Sequence, residues 1–531
     1  MESFRHAAAS ASPTVADCFA LLTVDDAIAR PAFTQCHAAA EARGDAARQL
    51  QCAAGMVLAI AVEYADFRGL DLWAARLRAG LPHAASLSSG IERTRVDAAM
   101  AALPWLVVLP ESDLTDVRER APRLLAALLE SHRDASLCPP DEWMLLTKIA
   151  ADFYSQEEDA LALERLSAAA QEHLHSCAVS PIWHARWWGL MHMNFDYAGN
   201  AVRSQAARER VQALIDDHGF PRMRFELACL EMTTAVKAGD LTQADRLFDE
   251  LDRLRMDVRP GRVAHGLRAQ ALLLVRRGQY REALHKVDLV LALCADAEVP
   301  RRDQGVDFVL RAHCLVAVGE GQQGLALLEA EREHQSGAAT QTLQVIIQMV
   351  EAVLALQGLA ADRHMRILDA VRAASAIDYG RFLHYVPEWA GRIAEYALDA
   401  GVETEFLRAA IRQRRLLPDD PTREDWPWRL HVQALGELRL LRDGEPVHTA
   451  GKSQRKPLEL LALLAAHGGG PLTIDAVIDQ LWPSLDANAP RASFDMALSR
   501  LRKLLEVPDA IRVTEGKVGL NTAVVWTDVA A

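Results

Sequence analysis

Six glycines recur along the chain at nearly constant spacing, and this spacing constrains the fold more than any other feature. They are Gly199, Gly239, Gly278, Gly319, Gly358 and Gly401. The intervals between them are 40, 39, 41, 39 and 43 residues, and each glycine precedes an apolar helical stretch. Because glycine suits the left-handed residue that closes a helix, the pattern predicts one helix pair in each period. Such pairs cannot bury their apolar faces alone, so they are expected to stack into an α-solenoid with an inner groove.

The clearest unit is "GLRAQALLLVRRGQYREALHKVDLVLALC". Here Gly278 is predicted to end one helix, and Tyr280 and Ala283 to begin the packing of the next. The small residue Ala244 at the corresponding place in the previous unit lets paired helices approach closely. This repeat resembles tetratricopeptide repeats, with a period nearer 40 than the usual ~34 residues. It is also similar to the longer repeats in the sensor regions of large bacterial transcriptional activators.

The repeat is clear over residues 180–417 and fainter before them, where Gly44 and Gly69 are candidates for earlier turns. Alanine and leucine dominate the composition and aromatic residues make up only 6%, which favours helices over sheets. The sequence therefore predicts a mostly α fold, a tetratricopeptide-like α-solenoid, with a small α+β domain at the C-terminus.

No membrane segment or secretory signal is predicted. The longest uncharged apolar run, Ala98–Pro110, is 13 residues long, whereas a spanning helix needs roughly 18 or more. The eight cysteines occur singly, which is typical of buried, reduced thiols in a cytoplasmic protein.

Charge divides the chain into two parts. From Trp426 to the end there are twelve basic and twelve acidic residues, and the preceding residues hold 46 basic and 60 acidic ones, so they carry the whole net charge of −14. Between the parts lies "LLPDDPTREDWPW", whose three prolines cannot continue a helix. We therefore predict a helical-repeat sensor or interaction domain over residues 1–417, a linker over 418–427 and a second domain over 428–531.

The last hundred residues change their periodicity. An alternating stretch contains Asp443-Gly444, a strong hairpin signal, and three helical stretches follow. The chain then returns to strand and turns at Glu515-Gly516-Lys517. Three helices followed by a hairpin are the parts of a winged helix, whose third helix enters the major groove of DNA.

The stretches "LWPSLDANAPRASFDMALSRLRKLL" and "GKVGLNTAVVWTDV" resemble the winged-helix DNA-binding domain of the response-regulator output type. The resemblance is closest to the version in bacterial antibiotic-pathway activators and in large ATP-dependent regulators with helical repeats. It implies double-stranded DNA as a partner and activation through RNA polymerase, contacted by the loop Pro483–Pro490. It also allows a homodimer and implies a cytoplasmic, nucleoid-associated protein. The ATPase module of the large regulators is not found in this chain.

Helix geometry assigns roles within "PRASFDMALSRLRKLLE". Phe494, Leu498, Leu501 and Leu505 share a narrow arc that is predicted to face the core. On the opposite side, Arg500 can bind a guanine at two points and Met496 can contact a thymine methyl group. The predicted DNA-binding residues are Arg491, Ala492, Ser493, Met496, Ser499, Arg500, Arg502, Lys503, Lys517, Lys452 and Arg455.

Gly451-Lys452-Ser453 imitates the end of a phosphate-binding loop. The complete motif needs a glycine at the position of Pro446, so nucleotide binding is not predicted. Lys452 and Arg455 are interpreted either as contacts to DNA phosphate or as a solvated start of the first helix of the winged helix.

A second candidate site lies in "PIWHARWWGLMHMNFDY". Trp183, His184, Trp188 and His192 are candidates for a small-molecule or peptide pocket, and packing between repeats is the alternative interpretation. Two histidines two turns apart are too distant for one zinc ion. No catalytic motif, metal site or cofactor site is predicted.

The sequence thus supports a DNA-binding transcription regulator, in which the helical arm senses a protein or a small molecule. Two alternatives stay open: a non-enzymatic repeat scaffold with a vestigial winged helix, and a receptor whose solenoid pocket controls the DNA-binding domain.

Overall fold

The computed structural model describes residues 13–529 apart from 25, 158, 198–199, 239, 256–258, 335–337, 359–361, 378–386, 415, 449–453, 484–488 and 508. Within these residues the chain is mostly helical and ends in a small α+β region, so the predicted fold class is confirmed. The chain divides into two compact units, and the boundary falls after Cys314.

The first unit is built of consecutive α-helices. In chain order they are α1 (Val15–Val24), α2 (Asp26–Glu41), α3 (Ala46–Glu63), α4 (Leu70–Gly80), α5 (Gly90–Leu106), α6 (Glu111–Ser131), α7 (Pro140–Gln156), α8 (Ala160–Ser176), α9 (Pro181–Tyr197), α10 (Ala201–His218), α11 (Pro221–Ala238), α12 (Leu241–Leu254), α13 (Pro260–Arg276) and α14 (Tyr280–Asp296). The next helix, α15 (Gly305–Ala317), contains the boundary between the units.

The repeating glycines fall between the two helices of successive pairs, as the spacing predicted. Gly278 has φ +71°, Gly319 has φ +92° and Gly401 has φ +69°, so the prediction of a left-handed residue is confirmed at these three positions. The small residues Ala244 and Ala283 are completely buried, as close helix pairing requires. The earlier candidates Gly44 and Gly69 also have positive φ.

The prediction is wrong for Gly358, whose φ lies outside the left-handed region. Its backbone N–H donates to the carbonyl of Leu354 at 3.0 Å, an ordinary helical bond between residues four apart, so Gly358 continues the hydrogen-bond pattern of its helix. The remaining glycines of the repeat, Gly199 and Gly239, lie outside the described residues.

In these pairs, several of the second helices start with a side-chain cap. Asp45, Asn200 and Asp240 each accept a hydrogen bond from the backbone N–H three residues later, at the starts of α3, α10 and α12. Each cap directly follows a glycine of the repeat or of its earlier extension. A cap of this kind contributes about 1 kcal/mol to helix stability, so the turn and the next helix are specified together.

A buried charge ties distant helices of the first unit together. The carboxylate of Glu63, at the end of α3, is 2% exposed and pairs with Arg30 at 2.9 Å and with Arg259. The backbone carbonyl of the same residue accepts hydrogen bonds from Arg222 of α11 and Arg262 of α13. Because a buried charge that loses its partners is strongly destabilising, Arg30 and Arg259 hold the end of α3 against α2 and the start of α13, and the carbonyl bonds add α11.

The second unit continues with α16 (Gly321–Arg332), α17 (Ala338–Gln357), α18 (Arg363–Ala376), α19 (Pro387–Asp399) and α20 (Thr404–Arg414). The α+β region follows, with β1 (Leu430–Gln433), β2 (Arg439–Arg442), β3 (Glu445–Pro446), α21 (Arg455–Ala466), β4 (Leu472–Thr473), α22 (Ile474–Leu481), α23 (Ala489–Leu505), β5 (Ile511–Thr514), β6 (Lys517–Leu520) and β7 (Val525–Thr527).

The strands form two small sheets, with the orders β3-β2-β1-β7 and β4-β6-β5. Both predicted hairpin turns are confirmed, because Asp443-Gly444 and Glu515-Gly516 each have two successive positive φ angles. This conformation matches the twist of the flanking antiparallel strands. The sequence did not predict β4, which pairs with β6, or the parallel pairing of β7 with β1.

The cysteines and the helix lengths agree with the sequence predictions. All eight cysteines are free, and seven of them are buried. Among the described residues, every helix is too short or too polar to span a membrane.

Replacing Gly278 with valine should destabilise the first unit by about 1–3 kcal/mol, because the left-handed backbone at this position is strained for a β-branched residue. The measurement is the midpoint of urea unfolding of the full chain. Gly90→Val is the matched control, since Gly90 has no left-handed φ and open space around its Cβ position. Equal midpoints for the two variants would contradict the role assigned to the turn glycine.

Candidate nucleic-acid interface

One side of α23 belongs to the core of the α+β region. Phe494, Leu501 and Leu505 are completely buried and Leu498 is 7% exposed, so the predicted apolar arc is confirmed. These side chains belong to the same apolar cluster as Leu460, Leu461 and Leu464 of α21. Their spacing of three or four residues places them on one face, and burying that face determines which side chains point outward.

The other side of α23 is exposed. Met496 is 54% exposed although it is a large apolar residue, and Arg500 and Lys503 are exposed beside it. Ala492 and Ser499 complete this face, and Arg502 lies at its edge. Ser493 is only half-buried and sits between the exposed face and the core. The helix therefore presents a face of two cations, a methionine and small residues.

The basic residues of α23 and of the β5–β6 hairpin differ in their partners. Within the residues that the structure describes, no ion pair involves Arg500, Lys503 or Lys517. Arg491 lies 3.6 Å from the carboxylate of Asp495, one turn along, and both side chains are more than half exposed. An exposed pair of this kind contributes less than about 1 kcal/mol, so Arg491 can exchange this partner for another anion. Arg502 reaches the backbone carbonyl of Ile511 at 3.5 Å.

The β5–β6 hairpin supplies further basic groups. Lys517 directly follows the tight turn and is exposed. Arg512 on β5 is exposed too, next to the buried Ile511. Sequence reasoning missed Arg512. Its place in the predicted strand just before the Glu515-Gly516-Lys517 turn, five residues from Lys517, is the signal that could have identified it.

The basic residues before α21 are in a different situation. Lys452 lies outside the described residues. Arg455 is 83% exposed and pairs with Glu459 on its own helix at 2.8 Å. Lys456 donates to the carbonyl of Leu481, the last residue of α22. These contacts fit a solvated helix start as well as they fit a contact to phosphate, so both interpretations stay open.

An open cleft lies between α22 and the start of α23. It combines an indole and two prolines with two carboxylates and one guanidinium. Its lining residues are Asp475, Ile478, Asp479, Trp482, Pro483, Pro490 and Arg491. The cleft adjoins the predicted polymerase-contacting loop, of which residues 484–488 lie outside the described residues.

The aromatic and histidine cluster of α9 is held mainly by packing contacts. The Trp183 indole is 1% exposed and donates to the carbonyl of Thr23, and the Trp188 ring stacks under the Arg210 guanidinium at 4.0 Å. His192 is buried and bonds Ser204 through Nδ1 at 2.8 Å. Burial lowers the pKa of both His184 and His192, which keeps the two imidazoles neutral at physiological pH.

In the part of the chain that the structure describes, no group of histidine, cysteine and carboxylate side chains could hold a metal ion.

Comparison with known proteins matched a short part of the chain. No family model matches the chain. The transcriptional regulatory protein EmbR of Mycobacterium bovis and of two strains of Mycobacterium tuberculosis is 38% identical to this chain over 77 residues. The matched residues are 14% of this chain and 19% of the relative, so the chain spans about a fifth of the length of the curated relatives it matches.

The division of α23 into a buried and an exposed side can be tested by stability. Leu501→Ala should destabilise the chain by about 2–5 kcal/mol, because it leaves a cavity at a completely buried position. Ser499→Ala, two residues away on the exposed side, should change the stability by less than about 0.5 kcal/mol. The measurement is chemical denaturation followed by circular dichroism. A larger loss for Ser499→Ala than for Leu501→Ala would mean that the helix is rotated from the described position.

Proposed function

We propose that this chain is a sequence-specific DNA-binding transcription regulator that acts as an activator. In this proposal the C-terminal α+β region is a winged helix, α23 is its recognition helix and the β5–β6 hairpin is its wing. Arg500 binds a guanine at two points in the major groove, and Met496 contacts a thymine methyl group. Arg491, Arg502 and Lys503 contact phosphates along the groove, and Lys517 contacts the backbone or the adjacent minor groove.

The observation that carries the proposal is the exposed face of α23. It presents Arg500 and Lys503 without an ion pair among the described residues, directly opposite a buried apolar arc. Gathering like charges costs free energy on a free surface. On DNA the same charges neutralise phosphates and release counterions, which is the main source of affinity for DNA-binding proteins.

Two further features support the proposal. EmbR, the relative that matches part of this chain, is named as a transcriptional regulatory protein. The element order of the α+β region, three helices followed by a hairpin, is the order that places a third helix in the major groove. Both features favour a binding protein over an enzyme.

The helical arm has the role of a sensor in this proposal. Its repeats provide an extended surface for a protein or a small molecule, with Trp183, His184, Trp188 and His192 as the candidate pocket. The loop Pro483–Pro490 and the cleft beside it contact RNA polymerase. A homodimer and a location in the cytoplasm with the nucleoid belong to the same proposal.

The function can be tested by separating base reading from phosphate contact. Arg500→Ala should cost about 1–3 kcal/mol on the preferred site and relax the preference at one base position. Lys517→Ala is the matched control, because it removes the same charge from the wing. This variant should weaken all sequences alike and reduce the salt slope by about one unit. The measurement is competitive binding of both full-length variants to a randomised DNA pool, followed by sequencing of the bound fraction.

If both variants lose the same DNA affinity and the sequence preference is unchanged, Arg500 contacts phosphate only. If the wild-type chain shows no salt-dependent binding to any DNA, the repeat-scaffold alternative with a vestigial winged helix is favoured instead.

A further inference from the structure

The segment that joins the helical arm to the α+β region packs against α19 and against the α+β region. Residues 416–428 contain no helix or strand, as their prolines require, but they are not exposed throughout. Leu416 is 2% exposed, Trp426 is 1% exposed and Trp428 is 3% exposed. A flexible linker would leave such large apolar side chains in water, so their burial calls for a structural explanation.

Three indole groups bind the backbone of this segment. Trp426 donates from Nε1 to the carbonyl of Leu416 at 3.0 Å, and Trp428 donates to the carbonyl of Arg423 at 2.8 Å. The third indole belongs to Trp526 of β7 and donates to the carbonyl of Thr422 at 3.0 Å. The first two bonds lie within the segment, and the third attaches it to the four-stranded sheet of the α+β region, because β7 pairs with β1.

The same segment is attached to α19 by charge. The guanidinium of Arg423 bonds Glu395 at 3.1 Å and also bonds Asp399, both on α19. It bonds Asp425 within the segment at 2.6 Å, and this lowers the pKa of the Asp425 carboxyl. The side chain of Arg423 is only 17% exposed, so these charge-assisted bonds are partly shielded from water.

Close backbone packing accompanies the charges. A Cβ atom at Gly391 of α19 would lie 2.2 Å from the carbonyl oxygen of Leu417, so only glycine permits this approach. Next to it, the backbone N–H of Asp419 donates to Glu395 at 3.2 Å, and its carboxylate pairs with Arg392 at 3.0 Å. The helix and the segment therefore fit each other at the level of the main chain.

A second attachment runs from α20 to the β2–β3 turn. Arg412 donates from Nη2 to the carbonyl of Asp443 at 3.3 Å. The Asp443 carboxylate also forms ion pairs with Arg412 at 3.7 Å and with Arg429 at 2.9 Å, although neither guanidinium Nε is aligned as a hydrogen-bond donor. This attachment shares no residue with the bonds of Arg423.

We infer that residues 416–428 are a rigid coupling, which joins α19, α20 and the α+β region into one body. This inference rests on the proposed function for its consequence: a displacement of the last helix pair of the arm would carry the reading face of α23 with it. The coupling residues lie outside α23 and the β5–β6 hairpin, so they are free to transmit a change without contacting DNA.

The test uses double electron–electron resonance on the full chain, with spin labels at the exposed positions Ala409 of α20 and Thr522 of the β6–β7 connection. Cys177 is changed to serine, and the other cysteines are buried and resist labelling. The coupling predicts a single narrow distance distribution for the otherwise wild-type chain. Arg423→Ala should broaden that distribution, because the carboxylates of Glu395, Asp399 and Asp425 then face one another without a cation.

Two further variants make the result decisive. Arg372→Ala is the matched control, because Arg372 pairs with Asp369 on its own helix and should leave the distribution narrow. Trp526→Phe keeps the apolar packing but removes the bond to Thr422, so it should broaden the distribution even if Arg423→Ala fails to fold. A broad distribution in the wild-type chain would overturn the inference, and so would a narrow one in both coupling variants.

Binding of the same labelled wild-type chain to DNA separates the two proposals. A narrow distribution without DNA binding would support the coupling and contradict the proposed function. DNA binding together with a broad distribution would support the proposed function and contradict the coupling.

Discussion

The burial of one apolar arc of α23 is the constraint on which the candidate interface depends. Phe494, Leu501 and Leu505 are removed from water completely, so the rotation of the helix about its axis is fixed. Burial of three such side chains is worth about 1.5–3 kcal/mol for each, far more than the cost of placing Arg500 and Lys503 side by side in solvent. The buried apolar face of α23 thereby determines the direction in which its basic face points.

The residues before Trp426 and the residues after it differ in net charge. The residues before Trp426 carry the whole net charge of −14. At the junction, two carboxylates of α19 pair with Arg423, so their negative charge is partly neutralised. The connection between α19 and the α+β region is therefore a packed segment and not a long flexible spacer.

Local patterns in the sequence predicted the features that local chemistry determines. The left-handed turns at Gly278, Gly319 and Gly401 follow from the low cost of positive φ for glycine, and the buried arc of α23 follows from helical periodicity. Gly358 failed the same rule because a glycine permits a left-handed residue but does not require one.

Features made by distant residues could not be predicted in this way. The bond from Trp526 to Thr422 joins positions 104 residues apart, and the bond from Trp183 to Thr23 joins positions 160 residues apart. The sequence therefore shows the prolines of the junction and predicts a linker, whereas the partners that hold the junction appear only in three dimensions. The parallel pairing of β1 with β7 was missed for the same reason.

The most direct test of the central claim is to cross-link the intact chain to DNA in cells and to map the bound genomic sites. If α23 reads base edges, the bound fragments will be few, will lie near promoters and will share a short sequence that includes at least one guanine. Uniform recovery along the genome, or a set of fragments without a common sequence, would contradict the account, because the exposed face of α23 would then bind phosphate without reading bases.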